Sequence, residues 1–320
     1  MANKKFSLVA LSLAYLIGSA AFGQTSKNIA LAGLVPTNTL YGRTVNFADE
    51  GPIADVWGWT YQGREYALIC LSSNKAFSGG PFLSGSGVAI IDVTDLNNIV
   101  YKKTVRYQNA DDQNAPGDVK VWNNYAFVAQ DGIPTYYVNL ITAINNLSDP
   151  NAGVEGKIVD STRVHTLQID EQGLLFLSHF FDGVAIGVYN VNGSPSNFKT
   201  KIGGIPMIAG PNSERSHATY VRYNRVYDSQ FNAGIVITDF TSTSTTVTPG
   251  IQRQHKYNNI RGATTGPSTF PAPLLMETHS TWISSNGQYL FSNEEGRNTA
   301  PAFSTNGDYQ RGNFYEHLGY

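Results

Sequence analysis

Asp118-Val-Lys-Val-Trp122, a two-residue gap, then Tyr125-Ala-Phe-Val128 is the stretch whose reading decides the fold. It reads as two β-strands joined by a turn, and the pattern returns along the chain. The other openings are Asp55-Val-Trp-Gly-Trp, His165-Thr-Leu-Gln-Ile, His217-Ala-Thr-Tyr-Val and His279-Ser-Thr-Trp-Ile. Their second strands are Tyr66-Ala-Leu-Ile, Leu174-Leu-Phe-Leu, Arg225-Val-Tyr-Asp and Tyr289-Leu-Phe-Ser. Three copies add a Gly-led strand: Gly87-Val-Ala-Ile-Ile-Asp92, Gly183-Val-Ala-Ile-Gly-Val-Tyr189 and Gly234-Ile-Val-Ile-Thr-Asp239. Self-similarity at this period marks a repeat architecture. The openings are 63, 47, 52 and 62 residues apart, which suits a four-stranded propeller blade with variable loops. The expected fold is therefore all-β, a β-propeller with about five units visible.

The rest of the chain is consistent with that reading. Helical patterning is confined to Leu140–Leu147, ending before Asp149-Pro150. Asn-Gly pairs at 192–193, 286–287 and 306–307 are turn formers, because both residues tolerate positive φ. Irregular stretches fall at Asn74–Ser86, Asn145–Gly156 and Thr241–Pro273, with the Thr/Ser run 241–246 as a polar connector. The fifth unit shows no clear third or fourth strand after Glu295. Either strands from residues 27–50 complete it, or the propeller is cut short before closure. The second alternative is the expectation carried forward.

Residues 1–23 read as a Sec-type signal peptide, and residues 24–320 as the propeller domain. Lys4 and Lys5 precede an apolar run, Phe6–Ile17, too short to span a bilayer, and Ala21-Phe22-Gly23 fits a small-x-small cleavage site. Losing both lysines takes the formal net charge from −2 to −4. A mildly acidic exported chain has no electrostatic case for nucleic acid. No later stretch is long and apolar enough for a transmembrane helix. The single cysteine, Cys70, cannot form an internal disulfide, and its apolar strand context predicts a buried residue.

The opening residues carry the main chemical possibility. If the units are equivalent, Asp55, Asp118, His165, His217 and His279 ring one mouth of the central channel. Three imidazoles and two carboxylates would suit one divalent metal ion. The competing reading is that each side chain hydrogen-bonds the backbone of the neighbouring blade. A second set follows the second strands: Gln130-Asp131, Ser178-His179, Ser229-Gln230 and Asn293-Glu294-Glu295, with Glu295 as a candidate base. Oxygen-rich loops at 109–114 and 149–155 lack the full EF-hand pattern and read as turns. Trp57 or Trp59, Trp122 and Trp282 fall at related places and are expected to pack between blades. The chain has no Gly-x-Ser-x-Gly elbow, no phosphate-binding Gly-Lys-Ser/Thr loop and no His-Glu-x-x-His helix.

The repeats resemble those of the choice-of-anchor B family, exported bacterial proteins related to the LVIVD-repeat proteins. The resemblance rests on Asp55-Val-Trp-Gly-Trp with Gly63-Arg-Glu-Tyr-Ala, and on Gly87-Val-Ala-Ile-Ile-Asp-Val. It continues through Asp118-Val-Lys-Val-Trp-Asn-Asn-Tyr-Ala-Phe-Val, Val164-His-Thr-Leu-Gln-Ile-Asp-Glu and Ser216-His-Ala. It ends with His279-Ser-Thr-Trp-Ile-Ser and Asn293-Glu-Glu. It implies a secreted or surface-displayed propeller whose attachment device varies among family members. The expected role is a binding module for an extracellular protein or glycan. The alternatives are a metal-dependent extracellular enzyme with its site at the channel mouth, and a structural part of a surface assembly.

Overall fold

The computed structural model describes residues 31–41, 53–71, 87–106, 117–130, 133–158, 164–179, 186–208, 216–230, 234–255, 276–296 and 311–316. The signal-peptide assignment, the loops at 74–86 and 109–114 and the turn at 306–307 lie outside these residues.

Nineteen described strands form five antiparallel sheets, each hydrogen-bonded in chain order. Sheet one holds β1 (Ile53–Tyr61), β2 (Arg64–Leu71), β3 (Gly87–Asp92) and β4 (Val100–Arg106). Sheet two holds β5 (Gly117–Trp122), β6 (Tyr125–Gln130), β7 (Ile133–Asn139) and β8 (Val154–Ile158). Sheet three holds β9 (Val164–Ile169), β10 (Leu174–His179), β11 (Ile186–Asn190) and β12 (Lys201–Ile205). Sheet four holds β13 (Ala218–Arg222), β14 (Arg225–Ser229), β15 (Ile235–Ser242) and β16 (Val247–His255). Sheet five holds β17 (Met276–Ile283), β18 (Tyr289–Gly296) and β19 (Arg311–Glu316).

The first strands of successive sheets lie side by side, β1 by β5, β5 by β9, β9 by β13 and β13 by β17. They are the innermost strands of propeller-like blades. Among the described residues β17 makes no matching contact with β1, so the row of sheets is not closed.

The core follows from the two-residue period of the strands. Each of the four interfaces between neighbouring sheets packs one face of a sheet on the facing side of the next. Leu68 and Cys70 meet Val119, Ala126 and Val128 between sheets one and two. Phe127 and Tyr137 meet Leu167, Leu175 and Leu177 between sheets two and three. Phe176 and Val188 meet Val221, Val226 and Phe240 between sheets three and four. Tyr220 and Tyr227 meet Ile283 and Leu290 between sheets four and five. Because both faces are covered, the central strands read as unbroken apolar runs, and β3 is buried along its whole length. Cys70 is a fully buried thiol in this packing, as its context predicts.

Two helices were foreshadowed unequally by the chain. The helix expected over 140–147 is α2 (Leu140–Asn145), capped by the Asn139 side chain accepting from the Thr142 N–H at 3.0 Å. The helix α1 (Thr37–Tyr41) lies inside the segment proposed above to supply missing strands. It packs Leu40 and Tyr41 on Ile69, Leu71, Ala89 and Ile91, covering the outer face of sheet one. Sheet five has a third strand that the sequence reading did not find, and β16 lies within a stretch read as irregular. Gly312 in β19 and Pro249 with Gly250 in β16 break the apolar alternation that reveals a strand. The Thr/Ser run is the β15–β16 turn, closed by Thr243 N–H to the Thr246 carbonyl at 2.8 Å.

Gly87 leads β3 for a steric reason. A Cβ there would run into the Val105 carbonyl oxygen of the paired strand. Gly87→Val is therefore expected to force β4 away and destabilise the chain by about 1–3 kcal/mol, read as a lower urea midpoint. An unchanged midpoint would show that β4 yields without strain.

Candidate functional site at the inner-strand ends

The register corrects one expectation. The fifth residues of the second strands, Cys70, Ala129, Ser178, Ser229 and Asn293, face Asp55, Asp118, Thr166, Ala218 and Ser280. The histidines therefore stand one place before the aspartates, not at the same place. The cause is a recurrent β-bulge. Ile53 and Asp55 face consecutive residues of β2, leaving Ala54 as an extra residue. The same shift leaves His165 extra in β9 and His279 extra in β17. His217 donates its N–H at 2.8 Å to the Ser229 carbonyl, opposite the residue that Ala218 already faces. A bulge re-aims its side chain out of the regular alternation. Three adjacent sheets thus turn a histidine at the same point.

The rings meet in a file. His165 and His217 have centroids 4.4 Å apart, and His217 and His279 4.0 Å apart. His217 is buried, and its Nδ1–H donates to the His279 carbonyl at 2.9 Å. Thr166 Oγ1 donates to the His217 carbonyl at 2.8 Å. Backbone and side chain thus tie sheets three, four and five together along the file.

The hairpin that carries His217 also holds a buried polar cluster that the sequence reading missed. Asp228 on β14 is buried, and its Oδ1 accepts from Ser216 Oγ at 2.5 Å and Thr219 Oγ1 at 3.1 Å. Gln230 Nε2 donates to its Oδ2 at 2.6 Å. Ser178 Oγ from sheet three reaches Thr219 Oγ1 at 2.5 Å. Burial pushes the Asp228 carboxyl up to about 6, against the lowering pull of Ser216, Gln230 and Thr219. The signal was present in the sequence: Asp228 holds the place of Ile69, Val128 and Leu177 in the second strands of the first three sheets.

The aspartates lie on sheets one and two. Asp55 Oδ2 accepts from Lys120 Nζ at 2.9 Å and from the Val119 N–H at 3.3 Å. Lys120 also pairs with Asp118 Oδ1, and Asp118 Oδ2 accepts from the Leu167 N–H of sheet three at 2.8 Å. Trp57 covers the ammonium, with Nζ 4.7 Å from its ring centroid. Burial and the neighbouring Asp55 push the Asp118 carboxyl up to about 7, although Lys120 pulls the other way. Asp55 is also raised by burial, but the hydrogen bond from Asp118 and the charge of Lys120 outweigh it and hold it below the usual carboxylate range. Burial lowers Lys120, and the two carboxylates more than reverse this.

For Asp55, Asp118 and His217 the side chain bonds the backbone of the next sheet, as the hydrogen-bonding alternative expects. Asp55 and Asp118 already share a cation in Lys120. Among the described residues, no group of three or more His, Cys, Asp and Glu is placed to hold a metal ion. The side chains of Asn293, Glu294 and Glu295 lie outside the described residues, as do those of Gln130, Asp131 and His179. Trp59 is buried against Tyr61 and Tyr66, and Trp122 reaches across to Asn192 Oδ1 at 3.0 Å, both as packing residues. The 149–155 loop is a turn, with Asp149 Oδ1 accepting from the Asn151 N–H at 2.9 Å.

No family model matches the chain, and no curated protein matches it. Among solved structures, it is similar to the periplasmic gluconolactonase of Pseudomonas aeruginosa, with 11% identity and a TM-score of 0.46. The match covers 72% of this chain and spans 62% of the length of that one. No helix among the described residues is long and apolar enough to cross a membrane.

Proposed function

We propose that the protein is an exported or surface-displayed propeller that works as a binding module. It takes an extracellular protein or glycan partner at the inner-strand ends. The observation that carries this reading is the histidine file. Sheets three and five give up regular pairing at His165 and His279, and His217 stands at the same point just before β13, so that the three rings meet. Sheets one and two carry Ala54 and Gly117 there instead, so blade construction itself does not demand a histidine. Bulges that recur at one rim are designed features and gather beside binding sites. The signal-like first 23 residues and the resemblance to choice-of-anchor B repeats support export.

A second reading makes the same file the centre of a metal-dependent hydrolase, with Asp118 or Asp55 completing the ion's shell and Glu295 as base. One observation favours it. The His217 Nδ1–H is anchored on a backbone carbonyl, the device that orients metal-binding imidazoles. An ion would require the rings to turn from their present arrangement.

The test is a glycan-array and extracellular-protein screen, followed by calorimetry of each hit on wild type, His165→Ala and His217→Ala. At least a tenfold loss of affinity in both variants is expected, with the fold retained by circular dichroism. Hits that bind both variants unchanged would move the site elsewhere. Elemental analysis of the same samples separates the readings. One ion per chain, lost in the His165→Ala/His217→Ala double variant, would favour the hydrolase.

A further inference from the structure

Tyr223 opens the two-residue turn between β13 and β14, with φ at 55°, and Asn224 follows at 58°. A turn with two left-handed residues calls for Asn or Gly, since that backbone strains a bulky side chain. The first positions of the β1–β2 and β5–β6 turns, also at positive φ, hold Gln62 and Asn123. Tyr223 gains no burial in return for its strain: it is 58% exposed. Strained residues of this kind gather at ligand sites. The ring is also fastened. The Arg222 guanidinium carbon lies 4.6 Å from its centroid. The Tyr223 N–H donates to Glu171 Oε1 of the β9–β10 turn at 2.8 Å, and its hydroxyl to the Ser285 carbonyl of the β17–β18 turn at 3.4 Å. Gln172 Nε2 donates to Asn224 Oδ1 at 2.5 Å. Glu171, Gln172 and Asn224 are exposed like the tyrosine, so one cation, one carboxylate and two amides border the ring.

We infer that Tyr223 and its polar border are a binding site for a neutral saccharide. A pyranose ring has an apolar C–H face that stacks on an aromatic ring. Its hydroxyls pair with planar carboxylate, amide and guanidinium groups, which both donate and accept around the tyrosine. Arg222 and Glu171 carry opposite charges, which favours an uncharged ligand. An apolar peptide laid over the ring would desolvate both of them without giving them partners. The site is separate from the histidine file: His217 precedes β13 and Tyr223 follows it, so the two stand at opposite ends of that strand.

Affinity electrophoresis of the whole chain, in gels carrying a soluble glucan, mannan, xylan or galactan, tests this. Tyr223→Asn, Tyr223→Phe and His165→Ala run beside wild type. At least one polysaccharide is expected to retard wild type, Tyr223→Phe and His165→Ala alike, and to bind Tyr223→Asn at least tenfold more weakly. The urea midpoint of Tyr223→Asn is expected to equal or exceed that of wild type, because Asn suits the left-handed position. Wild type unretarded by all four polysaccharides overturns the inference, as does retardation that Tyr223→Asn keeps. A lower midpoint for Tyr223→Asn also overturns it, since the ring would then be held for stability. Retardation lost in His165→Ala but kept in Tyr223→Asn would place the sugar at the histidine file, supporting the binding-module reading and ending this one.

Discussion

Lys120→Met is expected to lower the unfolding free energy by about 3–5 kcal/mol, the usual consequence of removing one member of a buried ion pair. The side chains of Lys120 and Asp118 are about nine-tenths buried, and Asp55 is less so. Methionine fills much of the lysine volume, so packing loss is the smaller part. The larger part is two carboxylates left facing each other without a cation. The effect also spreads, because the triad joins β1 (Asp55) to β5 (Lys120 and Asp118) and is bonded through Asp118 to the Leu167 N–H of β9. Urea denaturation measures it, and a loss below about 1 kcal/mol would show that water reaches the carboxylates. The triple variant Asp55→Asn/Asp118→Asn/Lys120→Met should recover much of the loss. It removes all three charges, while the amide oxygen introduced at position 118 can still accept from the Leu167 N–H.

The triad shows how far the sequence could be read. Asp55 and Asp118 stood out because they open strands, whereas Lys120 looked like one more residue of Asp118-Val-Lys-Val-Trp. Its burial depends on Trp57 and Asp55 arriving from another sheet, which no local pattern encodes. The repeats themselves were legible because the second strands of sheets one to three are apolar runs covered on both faces. The register of the openings was harder to read. A bulge adds one residue without changing composition, and a one-residue shift moves a side chain to the other face. One clue was available. Asp118 precedes Tyr125 by seven residues, but His217 precedes Arg225 by eight, across turns of equal length at 123–124 and 223–224. The extra residue places His217 just before β13, one position ahead of the place that Asp118 holds in β5. Asp228 was legible in principle as an acid in a mostly apolar column, but Ser216 and Thr219 as its partners were not, since the hairpin pairing that brings them to it depends on the register.

That buried acid sets the second large effect, a loss of stability as pH rises from about 4 to 7. Asp228 has an ordinary value of 3.8 and is pushed up to about 6 in the fold, so the folded chain holds its proton more tightly than the unfolded one. A group of this kind contributes stability that is fully present below its unfolded value and is lost as pH climbs through its folded value. The difference corresponds to on the order of 3 kcal/mol. Asp118, raised to about 7, and Asp170, raised by burial to about 6, act in the same direction. Asp55, Asp92 and Asp239 are held below their ordinary value despite burial, by hydrogen bonds and by Lys120, Arg64, or Arg225 and Arg253. Their contribution is lost only as pH falls below about 4, outside this window. Urea midpoints measured from pH 4.5 to 8 read the slope. Asp228→Asn should flatten it, because an amide does not titrate. The new amide also has a partner: Gln230 Oε1 is buried without a hydrogen bond, and a flipped Gln230 would accept from the amide nitrogen introduced at position 228. Asp228→Asn is therefore expected to match or exceed wild-type stability at pH 7.5 and to fall behind it at pH 5. If the two chains keep a constant difference across that range, the Asp228 carboxyl does not change protonation there and the pocket is wetter than its burial implies.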